Sequence, residues 1–271
     1  MPVGSSYPVG GNLQSAKQLR KGMGDSPLYR FLEQSAIDDV VLYPPDGGDF
    51  QEAALDTTKY WTAVSGGGAA AVAWAIVAAE NGTIRATTGT ANGITASSSI
   101  YSGTAGIATP QFYGARGLDV YCRWKVASAL VTDLRFEVGV TDVVPTGTTN
   151  SVVNSLVTPT ANASVLDAAV YVYDNTSAVT NCGLYTFGNA LTAQKTVSTT
   201  LGVPVTAVYQ WVHLHILGGQ VSLFLDGLQV ASHNGAIVGT NPVRLWSRIV
   251  ATSATTKIFD MDVFRARGKR N

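Results

Sequence analysis

Two pairs of side chains in this sequence have types and spacings that could do chemistry. His213 and His215 alternate in YQWVHLHIL, so in an extended strand both imidazoles project from one face, as two ligands of a metal ion would. No third ligand is evident. His233 falls in a turn nearby, and packing of the two rings beside Trp211 on a sheet face explains them more simply. Asp260 and Asp262, in KIFDMDVF, are the nearest approach to the paired carboxylates that glycoside hydrolysis needs on either side of one bond. The simpler expectation is a solvent-facing pair that keeps an outer strand from associating. The glutamates Glu33, Glu52, Glu80 and Glu137 each stand alone in their segments. No Ser-His-Asp set can be picked out, and Gly66-Gly67-Gly68 precedes Ala, not the Lys-Ser/Thr of a phosphate loop. The expectation is a protein that is not an enzyme and that holds no metal and no cofactor.

The elements that must position these residues are strands. In Tyr209–Ser232 the residues Val212, Leu214 and Ile216 alternate with Trp211, His213 and His215, a period of two with one aliphatic face. Gly218-Gly219 and Asp226-Gly227 supply two tight hairpin turns, so three consecutive antiparallel strands are predicted, the third beginning at Leu228. Further strands are predicted at Trp61–Val64, Ala71–Ala78 and Thr83–Thr88 as an early meander, and near Ile100. Leu118–Val126 and Thr132–Val140 alternate well and are expected to pair with each other. Val143–Asn162, rich in Thr, Asn, Ser and Pro, reads as a long surface excursion. Asp167–Asp174, Cys182–Phe187, Thr206–Ile216 and Lys257–Ala266 complete the ladder. Cys122 and Cys182 lie in strand-like segments without metal-ligand spacing and are expected to be buried free thiols.

A Trp-x-His strand, a glycine turn, a strand ending in Phe-x-Asp-Gly and an aliphatic residue three positions on resembles the hairpin core of concanavalin A-like (laminin-G-like, pentraxin-like) jelly-roll domains. Here those residues are Trp211, His213, Gly219, Val221, Phe224, Asp226, Gly227 and Val230. The resemblance implies an all-β, concanavalin A-like antiparallel jelly-roll sandwich in which an early strand lies beside the last one. It also implies a calcium ligand at Asp226, although the Asp-Gly turn already accounts for that residue.

The sandwich is expected to span residues 49–271, behind an N-terminal arm of residues 1–48. The arm is rich in Gly, Ser, Pro and Asn, with a basic cluster around Arg20 and Lys21. One short helix is predicted from the Ser26 cap and Pro27, placing Leu28, Phe31 and Leu32 on one face. A helix that short needs a partner for its apolar face. With 18 basic and 18 acidic residues, no overall field attracts nucleic acid or an anionic membrane. The N-terminus has no apolar run of the signal-peptide type, so folding in the cytoplasm is expected.

Low charge, Ala-, Thr-, Gly- and Val-rich strands and the arm make the chain similar to structural proteins of tailed bacteriophages. That resemblance implies a virion protein on the capsid exterior, made in the host cytoplasm: a head decoration (cement) homotrimer. It would bridge major capsid protein subunits through Arg20, Lys21, Leu28, Phe31 and Leu32. The alternative is a carbohydrate-binding, lectin-like module of a tail fibre or other surface-recognition protein, where exposed Trp and Tyr stack on a host-surface glycan. An unusual glycan hydrolase is the third reading.

Overall fold

The computed structural model describes residues 40–43, 50, 55–57, 60–65, 72–77, 82–88, 97–103, 112–127, 133–145, 151–155, 160–161, 165–175, 181–188, 194–198, 205, 207–234 and 241–269. The predicted helix, and with it Arg20, Lys21, Leu28, Phe31 and Leu32, lies outside the described residues. The chain divides into two units, Met1–Val41 with Arg270–Asn271, and Leu42–Lys269. The second unit holds the sandwich.

The early strands are β1 (Val40–Tyr43), β2 (Trp61–Ser65), β3 (Val72–Ile76), β4 (Ile84–Thr87), β5 (Ser97–Ser102) and β6 (Phe112–Tyr113). The middle strands are β7 (Leu118–Val126), β8 (Leu134–Thr141), β9 (Val153–Ser155), β10 (Thr160–Ala161), β11 (Asp167–Asp174) and β12 (Asn181–Gly188). The late strands are β13 (Gln194–Ser198), β14 (Gln210–Leu217), β15 (Gln220–Leu225), β16 (Leu228–His233), β17 (Pro242–Ala251) and β18 (Ile258–Lys269). No α-helix occurs among the described residues, only a 3-10 turn at Gly114–Arg116.

The first sheet runs β16-β15-β14-β7-β18-β4-β3 and the second β13-β12-β11-β8-β17-β5-β2, every neighbouring pair antiparallel. This is the expected jelly-roll sandwich. The late strand β18 lies beside the early strand β4, as the resemblance implied.

The three-strand ladder follows directly from its residue pattern. Val212, Leu214 and Ile216 face the core and are buried, while Trp211, His213 and His215 point outward and are half-buried. Gly218 and Gly219 have φ of 57° and 85°, and Asp226 and Gly227 have 48° and 86°. Both central residues of each turn thus take the positive φ that matches the right-handed twist of the flanking strands.

Aromatic rings from both sheets meet in the core. Trp124 of β7 and Phe259 of β18 stack at 5.2 Å, and Phe136 of β8 reaches across to 4.2 Å from Phe259 and 4.8 Å from Trp124. Trp61 of β2 stacks on Phe264 of β18 at 5.5 Å. Each such ring, fully buried, stabilises the sandwich by about 1.5–3 kcal/mol. Cys122 and Cys182 are buried in this layer as free thiols, as expected.

Three expectations about strand placement need correction. β7 and β8 do not pair; β7 lies between β14 and β18 in one sheet, β8 between β11 and β17 in the other. Both turn an aliphatic face to the same core, which a period of two predicts equally well for a hairpin or for a crossing between sheets. The early meander likewise splits, with β3 and β4 paired in the first sheet and β2 beside β5 in the second. The excursion after β8 is not merely a surface loop. Val152, Val153 and Val165 are completely buried and pack with Val170, Val172, Phe187 and Trp246 on the outer face of the second sheet.

Candidate functional site

Two outer faces could present a site, and the second sheet's is closed by its own chain. Glu137 there is 1% exposed. Its carboxylate accepts the Val152 and Val153 amides at 2.9 and 3.4 Å, the Trp246 Nε1–H at 3.3 Å and Arg135 Nη2 at 2.6 Å. Arg135 also donates to the Val153 carbonyl and lies 4.0 Å from Asp174, and Arg248 donates to Ser151. Burial lowers the Arg248 pKa to about 10, against the opposing pull of Glu137, so the guanidinium still carries its charge at neutral pH. These ionic groups fasten the excursion to the sheet. Glu137, the sole glutamate among the described residues, is thereby committed to structure.

The first sheet's outer face is where the chemically capable residues gather. On β14, Trp211 is half-buried, with Tyr209 just before the strand. Arg123 of β7 lies 4.4 Å over the Tyr209 ring and 5.9 Å over Trp211, and Lys125 lies 4.5 Å over Tyr209. These cations are held in turn by β18. Arg123 pairs with Asp262, Lys125 reaches Asp260 at 3.6 Å, and Arg85 of β4 binds Asp260 at 2.6 Å.

The aspartate pair is therefore not solvent-facing, nor is β18 an outer strand. Asp260 and Asp262 are 2% and 6% exposed and sit mid-sheet between β7 and β4, because the cations opposite them neutralise the charge that burial would otherwise penalise. Asp226 is likewise occupied. Its carboxylate accepts the Trp211 amide at 2.8 Å and its own amide donates to the Trp211 carbonyl, which extends the β14–β15 pairing to the start of the turn.

One row further along, the imidazole of His213 is sandwiched between Tyr121 of β7 at 4.2 Å and Phe224 of β15 at 5.1 Å, both nearly parallel to it. Its stacking partners are thus Tyr121 and Phe224, where packing beside Trp211 was expected. The antiparallel register of β7 on β14 sets Asp119 directly opposite His215. His213 Nε2 and His215 Nδ1 then converge on a single oxygen, Asp119 Oδ1, at 2.9 and 2.8 Å. Asp119 is thus the third ligand-type residue that the sequence did not reveal. The three ligating atoms lie within 4.8 Å of one another. Burial alone would raise the Asp119 pKa, but the bonds from His213 and His215 reverse this and hold the carboxyl well below the usual range. The same bond raises the His215 pKa, against burial. His233, expected in a turn, instead ends β16, is buried, and bonds Thr186 at 2.9 Å, away from this cluster.

No family model matches the sequence, and no curated protein matches it either. Solved structures do share its fold. LamAcat from Zobellia galactanivorans superposes with a TM-score of 0.54 at 13% identity, covering 86% of this chain and 98% of that one. The Emp47p carbohydrate recognition domain gives 0.54 at 9% identity, over 83% and 94%. The Bacillus licheniformis beta-glucanase gives 0.51 at 11%, over 86% and 98%. The chain therefore has the jelly-roll fold found in glycoside hydrolases and lectin-like domains. At these identities the likeness establishes fold alone.

Proposed function

We propose that this protein is a carbohydrate-binding module that holds a glycan on the outer face of its first sheet without cleaving it. The observation that carries the reading is the half-exposed pair Tyr209 and Trp211, two residues apart and bridged by Arg123. Rings so spaced offer apolar surface on which pyranose rings stack, Trp211 above all because Arg123 and Lys125 lie over Tyr209, and these two cations bring hydrogen-bonding groups to the edge. Arg123 and Lys125 are anchored by Asp262 and Asp260, so the platform is organised before any ligand arrives. The recognition of carbohydrate named for the Emp47p domain, on the same fold, supports the reading.

Absence of turnover is part of the proposal. Among the described residues, Glu137, Asp260, Asp262 and Asp226 are each bonded to groups that fix the fold, and cleavage needs carboxyls free to exchange protons with a substrate. The head-decoration reading, with its capsid partner and homotrimer, depends on arm residues outside the described ones and has no comparable support.

A glycan array followed by calorimetry on the best hit tests the reading. Trp211→Ala should weaken binding at least about tenfold, equivalent to about 1.4 kcal/mol, with the fold intact by circular dichroism. Retention of full affinity in that variant, or an array without hits, would refute the assignment of this face.

A further inference from the structure

We infer that Asp119, His213 and His215 form a binding site for one first-row divalent transition-metal ion, zinc being the best fit. This does not rest on the glycan reading. The convergence of two imidazole nitrogens on one carboxylate oxygen, at 2.9 and 2.8 Å, is the first support. Tetrahedral zinc with bonds of about 2.0–2.1 Å sets its ligand atoms about 3.3 Å apart, so each N···O contact would open by about half an ångström, and the two nitrogens, within 4.8 Å of each other, would settle at about that same separation. Two nitrogens and one oxygen suit zinc, cobalt or nickel, whereas calcium and magnesium ask for an oxygen shell that the cluster does not provide.

Pre-organisation is the second support. The His213 ring is clamped between Tyr121 and Phe224, which fixes the direction of Nε2. Asp119 and His215 are held on adjacent strands in register. Side-chain exposures of 23%, 20% and 43% for His213, Asp119 and His215 leave the cluster open on its solvent side. A bound ion would therefore keep a coordination position for water or for a ligand of the protein. Metal binding needs both of these nitrogens bare, so any proton that either carries toward Asp119 must leave that nitrogen as the ion enters. Arg267, in register with Asp119 on its other side, opposes the cation and holds the affinity below that of a four-ligand structural site.

Calorimetry of untagged, chelator-treated full-length protein with zinc chloride tests the inference, with cobalt absorption as a second readout. One equivalent should bind at micromolar concentrations of free zinc or below, and cobalt should give the intense visible bands of a four- or five-coordinate site. Asp119→Asn and His215→Ala should each weaken binding at least about tenfold, by loss of one ligand of three. His233→Ala, remote from the cluster, should bind as the parent does. Failure of the parent protein to take up one equivalent overturns the inference, as does parent-like affinity in the ligand variants. Because His215 is the most exposed of the three, its variant keeps the test decisive should Asp119→Asn not fold.

Discussion

Replacing Glu137 by Gln is the perturbation whose effect the structure specifies most fully. The side chain keeps its shape, but one carboxylate oxygen becomes an amide nitrogen that cannot accept. One oxygen faces Val152 N–H and Trp246 Nε1–H, the other Val153 N–H and Arg135. Either orientation of the amide therefore confronts two donors with a third. The local charge changes as well. Arg135 and Arg248 are balanced by Glu137 and Asp174, and the variant leaves one positive charge in excess among groups that are nearly all buried. Removing one partner of a buried ion pair costs about 3–5 kcal/mol, a large part of the roughly 5–15 kcal/mol by which a domain is stable. At about 2–4 °C per kcal/mol for a domain of this size, the melting temperature should fall by roughly 6–20 °C. Urea denaturation gives the free energy, and hydrogen exchange at Val152 and Val153 should quicken as the excursion loosens. A loss below about 1 kcal/mol, with both amides still protected, would mean that Glu137 does not fasten the excursion.

Gly139→Ala should destabilise by about 3 kcal/mol or more, measured the same way, since a Cβ there would lie 2.1 Å from the Ala169 carbonyl oxygen across the strand pair. Cys122 and Cys182 should resist a thiol reagent in the native protein at pH 8 and both react after unfolding, because burial pushes Cys182 up to about 12 and Cys122 well above its ordinary value. Alkaline titration of tyrosine absorbance should show Tyr185 ionising only near pH 12, its burial disfavouring the phenolate, and a tyrosine spectrum complete by pH 11 would contradict that burial. Asp226→Ala should cost about 1–2 kcal/mol in denaturation, through loss of the Trp211 amide contact and of a residue tolerant of positive φ.

The ladder from β14 to β16 was legible because its two turns advertise positive φ in Gly218-Gly219 and Asp226-Gly227, and because alternation assigns each side chain to a face. Sheet membership was not. Alternation says which way Val120 or Val138 points, but not which strand lies beside it, and so β7 and β8 read as a hairpin though they face each other across the core. The candidate site was half legible for the same reason. His213 and His215 sit on one strand, whereas Asp119 is 94 residues from His213 in sequence and joins it only through register. Asp260 and Asp262 looked like exposed charges because their cations, Arg85, Arg123 and Lys125, come from other strands. The burial of Val152 and Val153 was hidden by the polar residues around them.

The place of β18 between β7 and β4 bears on how the sandwich assembles as it emerges from the ribosome. β4 and β7 are synthesised early, yet the strand that joins them is the latest-made of those described, more than 130 residues after β7 ends. Until it arrives, the β3–β4 hairpin and the β7–β14–β15–β16 group each carry an open edge with unpaired backbone donors and acceptors. Closure across so long a stretch of chain is slow, and the waiting edges are templates for pairing with other nascent chains. Truncation before Ile258 should therefore yield aggregate rather than a smaller folded sandwich, and the yield of native protein should depend on how quickly synthesis completes that strand.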